Sequence, residues 1–137
     1  MAAARRLAWG TRAAVALLVA ADLAAGLTAI TTSNINYAVY SWIHSRSSAE
    51  STYGHISGWD TSQVTNMDYL FCAWSYSACG YSYTYYKSSA RYFNDDISAW
   101  DVSRVTTMTR MFFHADDFNQ NLGWCVENGV SISYAFW

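Results

Sequence analysis

Hydrophobic and polar residues follow one pattern twice along this chain. Residues 97–112 read ISAWDVSRVTTMTRMF and residues 56–71 read ISGWDTSQVTNMDYLF, with nine of sixteen positions identical. In each copy apolar and polar residues first alternate, which predicts a short strand. Apolar residues then recur every three or four positions, which predicts helical turns. The chain therefore contains an internal repeat of one strand and one helical segment.

The repeat unit is shorter than the distance between these two copies. The dipeptide FN occurs at Phe93 and again at Phe118, a much closer spacing than that between Ile56 and Ile97, where the two copies begin. The first unit therefore carries an insertion, which we place at residues 75–90.

A third, decayed unit, LGWCVENGVSISYAFW, covers residues 122–137. It places Phe136 and Trp137 where Met111 and Phe112 lie in the second unit. The apolar residues at that edge are exposed to solvent unless another surface packs against them, because no further unit follows at the end of a stack of repeats. We expect either that a partner or a second copy covers this open C-terminal edge, or that the chain is a truncated gene product.

The order of elements predicts the fold class. A strand and a helical turn in each unit is the layout of leucine-rich repeats, whose stacked coils share one continuous core. We predict an α/β fold over residues 55–137: a leucine-rich-repeat-like, right-handed solenoid of short parallel strands and short helical turns. Phe93 and Phe118 are expected to stack between coils, and Asn94 and Asn119 to bond backbone groups at the corners.

Residues 30–54 are predicted to form a helical cap on the N-terminal end of the solenoid. Ser33 or Asn34 can cap a first helix. A capping box, Ser47-x-x-Glu50, and Gly54 predict the start and end of a second helix. The first helix carries one apolar stripe, formed by Ile35, Ala38, Val39, Trp42 and Ile43.

Residues 1–29 differ from the rest of the chain. Three arginines precede the short apolar run AAVALLVAA and the small residues that follow it. This layout predicts a secretory signal peptide, so we expect a secreted or cell-surface protein. Asp22 disfavours a spanning helix. A membrane anchor and an organelle transit peptide are the alternatives.

Composition excludes some functions. The chain is 53% hydrophobic and 18% aromatic, and its formal net charge is −2, so it lacks the basic balance of a nucleic-acid binder. Without residues 1–29, five basic residues remain against nine acidic ones, a formal net charge of about −4.

Of the three cysteines, Cys72 and Cys79 can close a small disulfide loop, with Cys125 left over; three free thiols are the alternative.

The motifs WDTSQVTNMDYLF and FNDDISAWDVSRVTTMTRMFF resemble the BspA-type leucine-rich repeats of bacterial and mycoplasma surface proteins, and repeat families of unicellular algae. The resemblance covers about residues 55–137. It implies a leucine-rich-repeat solenoid and a surface or secreted setting, and it implies no catalytic residues. The aromatic insertion and the unfinished last unit depart from that pattern.

Candidate catalytic chemistry is sparse. His44, His55 and His114 accompany no nucleophile at a suitable spacing, and we expect them to face solvent. The pairs at 95–96 and 116–117 could serve as acid and base or bind calcium, but aspartates at coil corners more often cap turns. We therefore predict no catalytic residues, no metal site and no cofactor. A hydrolase would need Asp pairs that converge in a pocket.

The insertion and the polar residues after each repeated tryptophan are the candidate binding sites. Tyrosine gives large contact area at low entropic cost, and flat aromatic rings stack on sugars. We predict a non-enzymatic module for protein interaction or adhesion, with a carbohydrate-binding module as the alternative. The partner would be an unknown protein or a cell-surface glycan. The candidate binding residues are Trp74, Tyr81, Tyr83, Tyr85, Tyr86, Asp60 and Asp101.

Overall fold

The structure is a computed structural model, and it describes residues 26–75, 77–80, 87–126 and 129–136. Within these residues two α-helices come first, α1 at Ile35–His44 and α2 at Arg46–Tyr53. Short 3₁₀ helices follow at Ile56–Gly58 and Ser88–Tyr92. The predicted signal peptide falls almost entirely on residues 1–25, outside the described part of the chain. No helix in the described part is long and apolar enough to cross a bilayer.

The helical stripe of α1 packs as predicted. Ile35, Ala38, Val39 and Trp42 are buried, and Ile43 is partly buried in the same core. The ring of Trp42 meets the edge of Trp59, the first repeated tryptophan, with centroids 6.0 Å apart. The first helix therefore lies against the first repeat.

The predicted ends of the two helices agree with the structure only in part. Gly54 ends α2 with φ of 77°, a conformation that favours glycine. The predicted capping box is wrong, because α2 begins earlier, with Ser45 as its N-cap residue. Asn34 is the N-cap residue of α1, but its side-chain oxygen accepts from Thr31 N rather than from the helix.

The predicted leucine-rich-repeat solenoid is wrong. The described residues contain no β-strand, and the β-bridges between successive units are isolated parallel ones, which pair Asn66 with Thr107, Thr107 with Ser131 and Phe112 with Phe136. Backbone hydrogen bonds join the units at alternate residues, as in Met67 N to Thr107 O (2.9 Å) and Met108 N to Ser131 O (2.8 Å). The units therefore lie side by side without forming a sheet.

Backbone conformation explains why no strand forms. At one equivalent position of the repeat, each unit has a residue with φ between 52° and 61°: Tyr69, Arg110 and Tyr134. His114, in the second unit, is a further left-handed residue, with φ of 59°. Left-handed residues cannot continue a strand, so the extended run breaks after a few residues.

The predicted helical segment is a series of separate turns. Val105 N bonds to Val102 O, Met111 N to Met108 O, and Ala115 N to Phe112 O. Each bond joins positions i and i+3, so consecutive turns place apolar side chains on one side at intervals of three and four. The spacing that predicted a helix is therefore produced by turns.

Aromatic rings of equivalent positions stack through the core. Trp59, Trp100 and Trp124 form one ladder, with ring centroids 5.9 and 6.4 Å apart. Phe71 and Phe112 stack at 5.3 Å and an interplanar angle of 6°. These ring contacts join successive units alongside the backbone hydrogen bonds between them.

A further stack supports the predicted role of the FN dipeptides. Phe93 and Phe118 stack at 5.8 Å, as expected. Asn94 Oδ1 accepts from Asn119 N at 2.9 Å and so bonds backbone of the next unit. The dipeptides therefore fix the corner between two units.

The third unit aligns with the second unit in a different register from the predicted one. Phe136 pairs with Phe112 rather than with Met111. Phe136 is 60% exposed at this C-terminal edge, whereas Ala135 beside it is buried. Trp137 lies outside the described residues.

Cys72 and Cys79 form a disulfide, one of the two alternatives that the sequence left open. Their Cα atoms are 5.7 Å apart, and both residues are buried. Cys125 is a free, exposed thiol. The disulfide therefore ties the first unit to the start of the insertion.

Replacing Phe112 by alanine should lower the free energy of unfolding by about 3–5 kcal/mol. Phe112 is 3% exposed and stacks on Phe71, Phe118 and Phe136. Urea denaturation of the variant measures the loss. Tyr37→Ala, at a residue that is 49% exposed on α1, is the control and should change stability by about 0.5 kcal/mol or less. Equal effects of the two changes would contradict the aromatic core.

Candidate functional site

Trp74, directly before the insertion, is the one candidate aromatic residue that lies in the described part of the chain. Its indole is 50% exposed and stacks on His114, with centroids 4.1 Å apart and an interplanar angle of 21°. Stacking on His114 fixes the orientation of the indole and leaves part of it open to solvent. The pair lines a cleft of about 480 Å³, together with Ser88, Ser89, Arg91 and Tyr92. Tyr81, Tyr83, Tyr85 and Tyr86 lie outside the described residues.

A second cleft, of about 560 Å³, adjoins the first. Ser89 and Tyr92 line both clefts, so the 3₁₀ helix at Ser88–Tyr92 lies between them. The ring of Tyr92 is 69% exposed. The far wall of the second cleft comes from α1 and the residues after it, including Trp42, His44 and Arg46. The clefts thus form one continuous surface around Tyr92, which we call the Tyr92 face.

Each cleft has an arginine–aspartate pair. In the second cleft, Arg46 Nη2 lies 2.6 Å from Asp95 Oδ2, which also accepts from the indole Nε1 of Trp42 at 2.9 Å. Beside the first cleft, Arg91 Nη2 lies 2.8 Å from Asp116 Oδ2.

Both arginines remain half exposed, at 55% for Arg46 and 50% for Arg91. The hydrogen bond and the negative charge of Asp116 raise the pKa of Arg91. Each pair therefore presents a guanidinium at the edge of a cleft, beside a carboxylate that is 48% exposed in Asp116 and 22% exposed in Asp95.

The two other candidate aspartates have a structural role. Asp60 Oδ1 accepts from Ser62 N at 2.9 Å, and Asp101 Oδ1 accepts from Ser103 N at 2.8 Å. These are the turns that the motif W-D-x-S forms in the first two units. Both aspartates line a small cavity of about 120 Å³, but the described residues offer no strand face for them to line.

The aspartate pairs do not converge in a shared pocket. Asp95 and Asp116 each bond a different arginine. Asp96 Oδ1 accepts from Ser98 N at 2.9 Å, and hydrogen bonds from Ser98 lower the pKa of Asp96. No group of three or more His, Cys, Asp or Glu side chains that could hold a metal ion occurs among the described residues.

The three histidines make local contacts. His44 and His55 are exposed, as predicted, and His55 Nδ1 lies 2.8 Å from Ser57 Oγ. His114 is instead partly covered, because it stacks under Trp74. Its Nδ1 lies 3.9 Å from Asp116. One histidine therefore supports the Tyr92 face.

Sequence reasoning missed Lys87. Its side chain is completely buried, and its Nζ donates to Asn36 Oδ1 on α1 at 2.8 Å. Burial lowers the pKa of Lys87 to about 7, because the charged form is poorly solvated there. The lysine thus links the end of the insertion to α1. The one available signal was a single lysine directly after the aromatic run YSYTYY.

A comparison with known protein families shows to which family this chain belongs. Residues 47–137 match the family described as "Mycoplasma protein of unknown function, DUF285". The chain belongs to this family. DUF285 membership agrees with the mycoplasma part of the resemblance, whereas a BspA-type leucine-rich repeat is not confirmed. No curated protein and no solved structure matches the chain.

This DUF285 protein should become more stable relative to a Lys87→Met variant as pH rises from about 7 towards 10. Burial lowers the pKa of Lys87 in the folded state, so the unfolded chain binds more protons in that range, and raising pH favours folding. The difference in unfolding free energy should grow by up to about 1.4 kcal/mol per pH unit. Urea denaturation across the range measures it, and identical pH slopes for the two proteins would contradict the burial of this amine.

Replacing Asp101 by alanine should lower the free energy of unfolding by about 1 kcal/mol, because Ser103 N loses its side-chain acceptor. Asp101→Asn keeps an acceptor oxygen and should stay within about 0.5 kcal/mol of the natural protein. Thermal or urea unfolding separates the two variants. If both match the natural protein, the turn-capping role is refuted.

Proposed function

We propose that this DUF285 protein is a non-enzymatic module of a secreted or cell-surface protein, and that it mediates protein interaction or adhesion. The observation that carries the proposal is the Tyr92 face: two adjoining clefts with half-exposed aromatic rings between arginine–aspartate pairs. Large aromatic residues and arginine are enriched in binding interfaces.

Three observations support a location outside the cytosol. Disulfides persist mainly in oxidising compartments, and Cys72 and Cys79 form one in the first unit. Membership of a family described from Mycoplasma is compatible with a surface repeat module. The basic and apolar leader predicted at residues 1–29 points the same way.

The arrangement of the carboxylates supports binding rather than catalysis. An acid–base pair built from aspartates needs two carboxyl groups that reach one substrate. Asp95 is held by Arg46 and Trp42, and Asp116 is held by Arg91, so each aspartate belongs to a separate ion pair.

A carbohydrate-binding module is the second candidate function, and the half-exposed indole of Trp74 favours it.

Beads coated with the full chain should adhere to intact cells of the producing organism, and Trp74→Ala should reduce adhesion about tenfold. A tenfold loss corresponds to about 1.4 kcal/mol, within the range for one aromatic contact. Tyr37→Ala removes a similarly exposed ring outside both clefts and should leave adhesion unchanged. Adhesion that is absent, or that is indifferent to Trp74 and Tyr92, would refute the proposal.

A further inference from the structure

We propose that the two clefts of the Tyr92 face form one carbohydrate site, and that its ligand is a neutral, hydroxyl-rich glycan with sugar rings on both sides of Tyr92. This inference rests on the proposed binding function and names its ligand class. It rests only on described residues, which lie on both sides of the 3₁₀ helix at Ser88–Tyr92.

The aromatic rings supply the apolar part of sugar recognition. A sugar ring has an apolar C–H face that packs on a flat aromatic ring. Trp74 offers such a surface, because His114 covers its other side at 4.1 Å and holds the indole in place. An oriented ring loses little conformational entropy when a ligand binds. Tyr92, 69% exposed, provides a second ring where the clefts meet.

The ion pairs supply the polar part. Vicinal hydroxyl groups both donate and accept hydrogen bonds, so they match a guanidinium beside a carboxylate. Arg91 with Asp116 and Arg46 with Asp95 present such combinations at the two clefts. Exposed ion pairs contribute little to stability, so engaging them with a ligand costs the fold little.

The charge of the site indicates a neutral ligand. Each arginine at a cleft is matched by an aspartate, and the chain as a whole carries a formal charge of −2. An anionic polymer requires an excess of positive charge, which this face lacks. A neutral glycan needs only the matched donors and acceptors.

The geometry of the clefts indicates more than one sugar unit. Their volumes, about 480 and 560 Å³, both lie in the range of small-ligand sites, roughly 300–1,000 Å³. Because Ser89 and Tyr92 line both, a ligand that fills both must pass Tyr92. Binding should therefore depend on rings in both clefts.

Adhesion of beads coated with the full chain, measured after two treatments of the cells, tests the ligand class. Periodate cleaves vicinal diols, and trypsin removes surface protein. A glycan ligand predicts that periodate lowers adhesion at least tenfold, whether or not trypsin also does. Loss of adhesion with trypsin alone would overturn the glycan inference and leave the proposed function standing, with a protein as partner. Absence of adhesion to untreated cells would refute both.

Competition tests the charge and the two subsites. Surface polysaccharide is divided by anion exchange into a neutral and an acidic fraction, and the neutral fraction should inhibit adhesion. Inhibition by the acidic fraction alone would contradict a neutral ligand. Tyr92→Ala and Trp74→Ala should each reduce adhesion about tenfold, whereas Trp74→Phe keeps a ring and should retain most of it. Thermal unfolding checks that each variant is folded, and an unchanged Tyr92→Ala variant would overturn the two-cleft site.

Discussion

Stacking between aromatic rings at equivalent positions of successive units is the interaction on which this structure depends. Trp59 lies on Trp100, and Phe71 lies on Phe112, so each unit buries its rings against the next. Regular strands are absent from the described residues, although backbone hydrogen bonds join successive units at alternate residues. Burial of large rings, worth about 1.5–3 kcal/mol each, therefore adds to these backbone bonds in holding the units together.

The repeat and the core were predictable because they depend on side-chain identity. The repeated tryptophans Trp59 and Trp100, the Phe-Asn corners and the stripe of α1 all lie where their apolar spacing places them. The backbone was not predictable in the same way. Turns that each join positions i and i+3 give the same apolar spacing as a helix, and a left-handed residue such as Arg110 carries no side-chain signature.

The candidate site was predictable only in part, because it depends on contacts between units. Trp74 stood out as an aromatic residue beside the insertion, and the structure leaves it half exposed. The partners of Trp74 and Arg91 were hidden, because His114 and Asp116 belong to the next unit and approach only when the units stack. Lys87 was hidden as well, since burial of a single lysine depends on contacts with α1.

A double-mutant cycle between Phe71 and Phe112 tests the central claim, that ring stacking between units holds the fold together. The two rings are nearly parallel, at 6°, with centroids 5.3 Å apart. Replacing each by leucine, singly and together, and measuring unfolding free energies should give a coupling of about 0.5–1.5 kcal/mol. Effects that simply add would contradict the account, because the units would then be held together without direct ring contact.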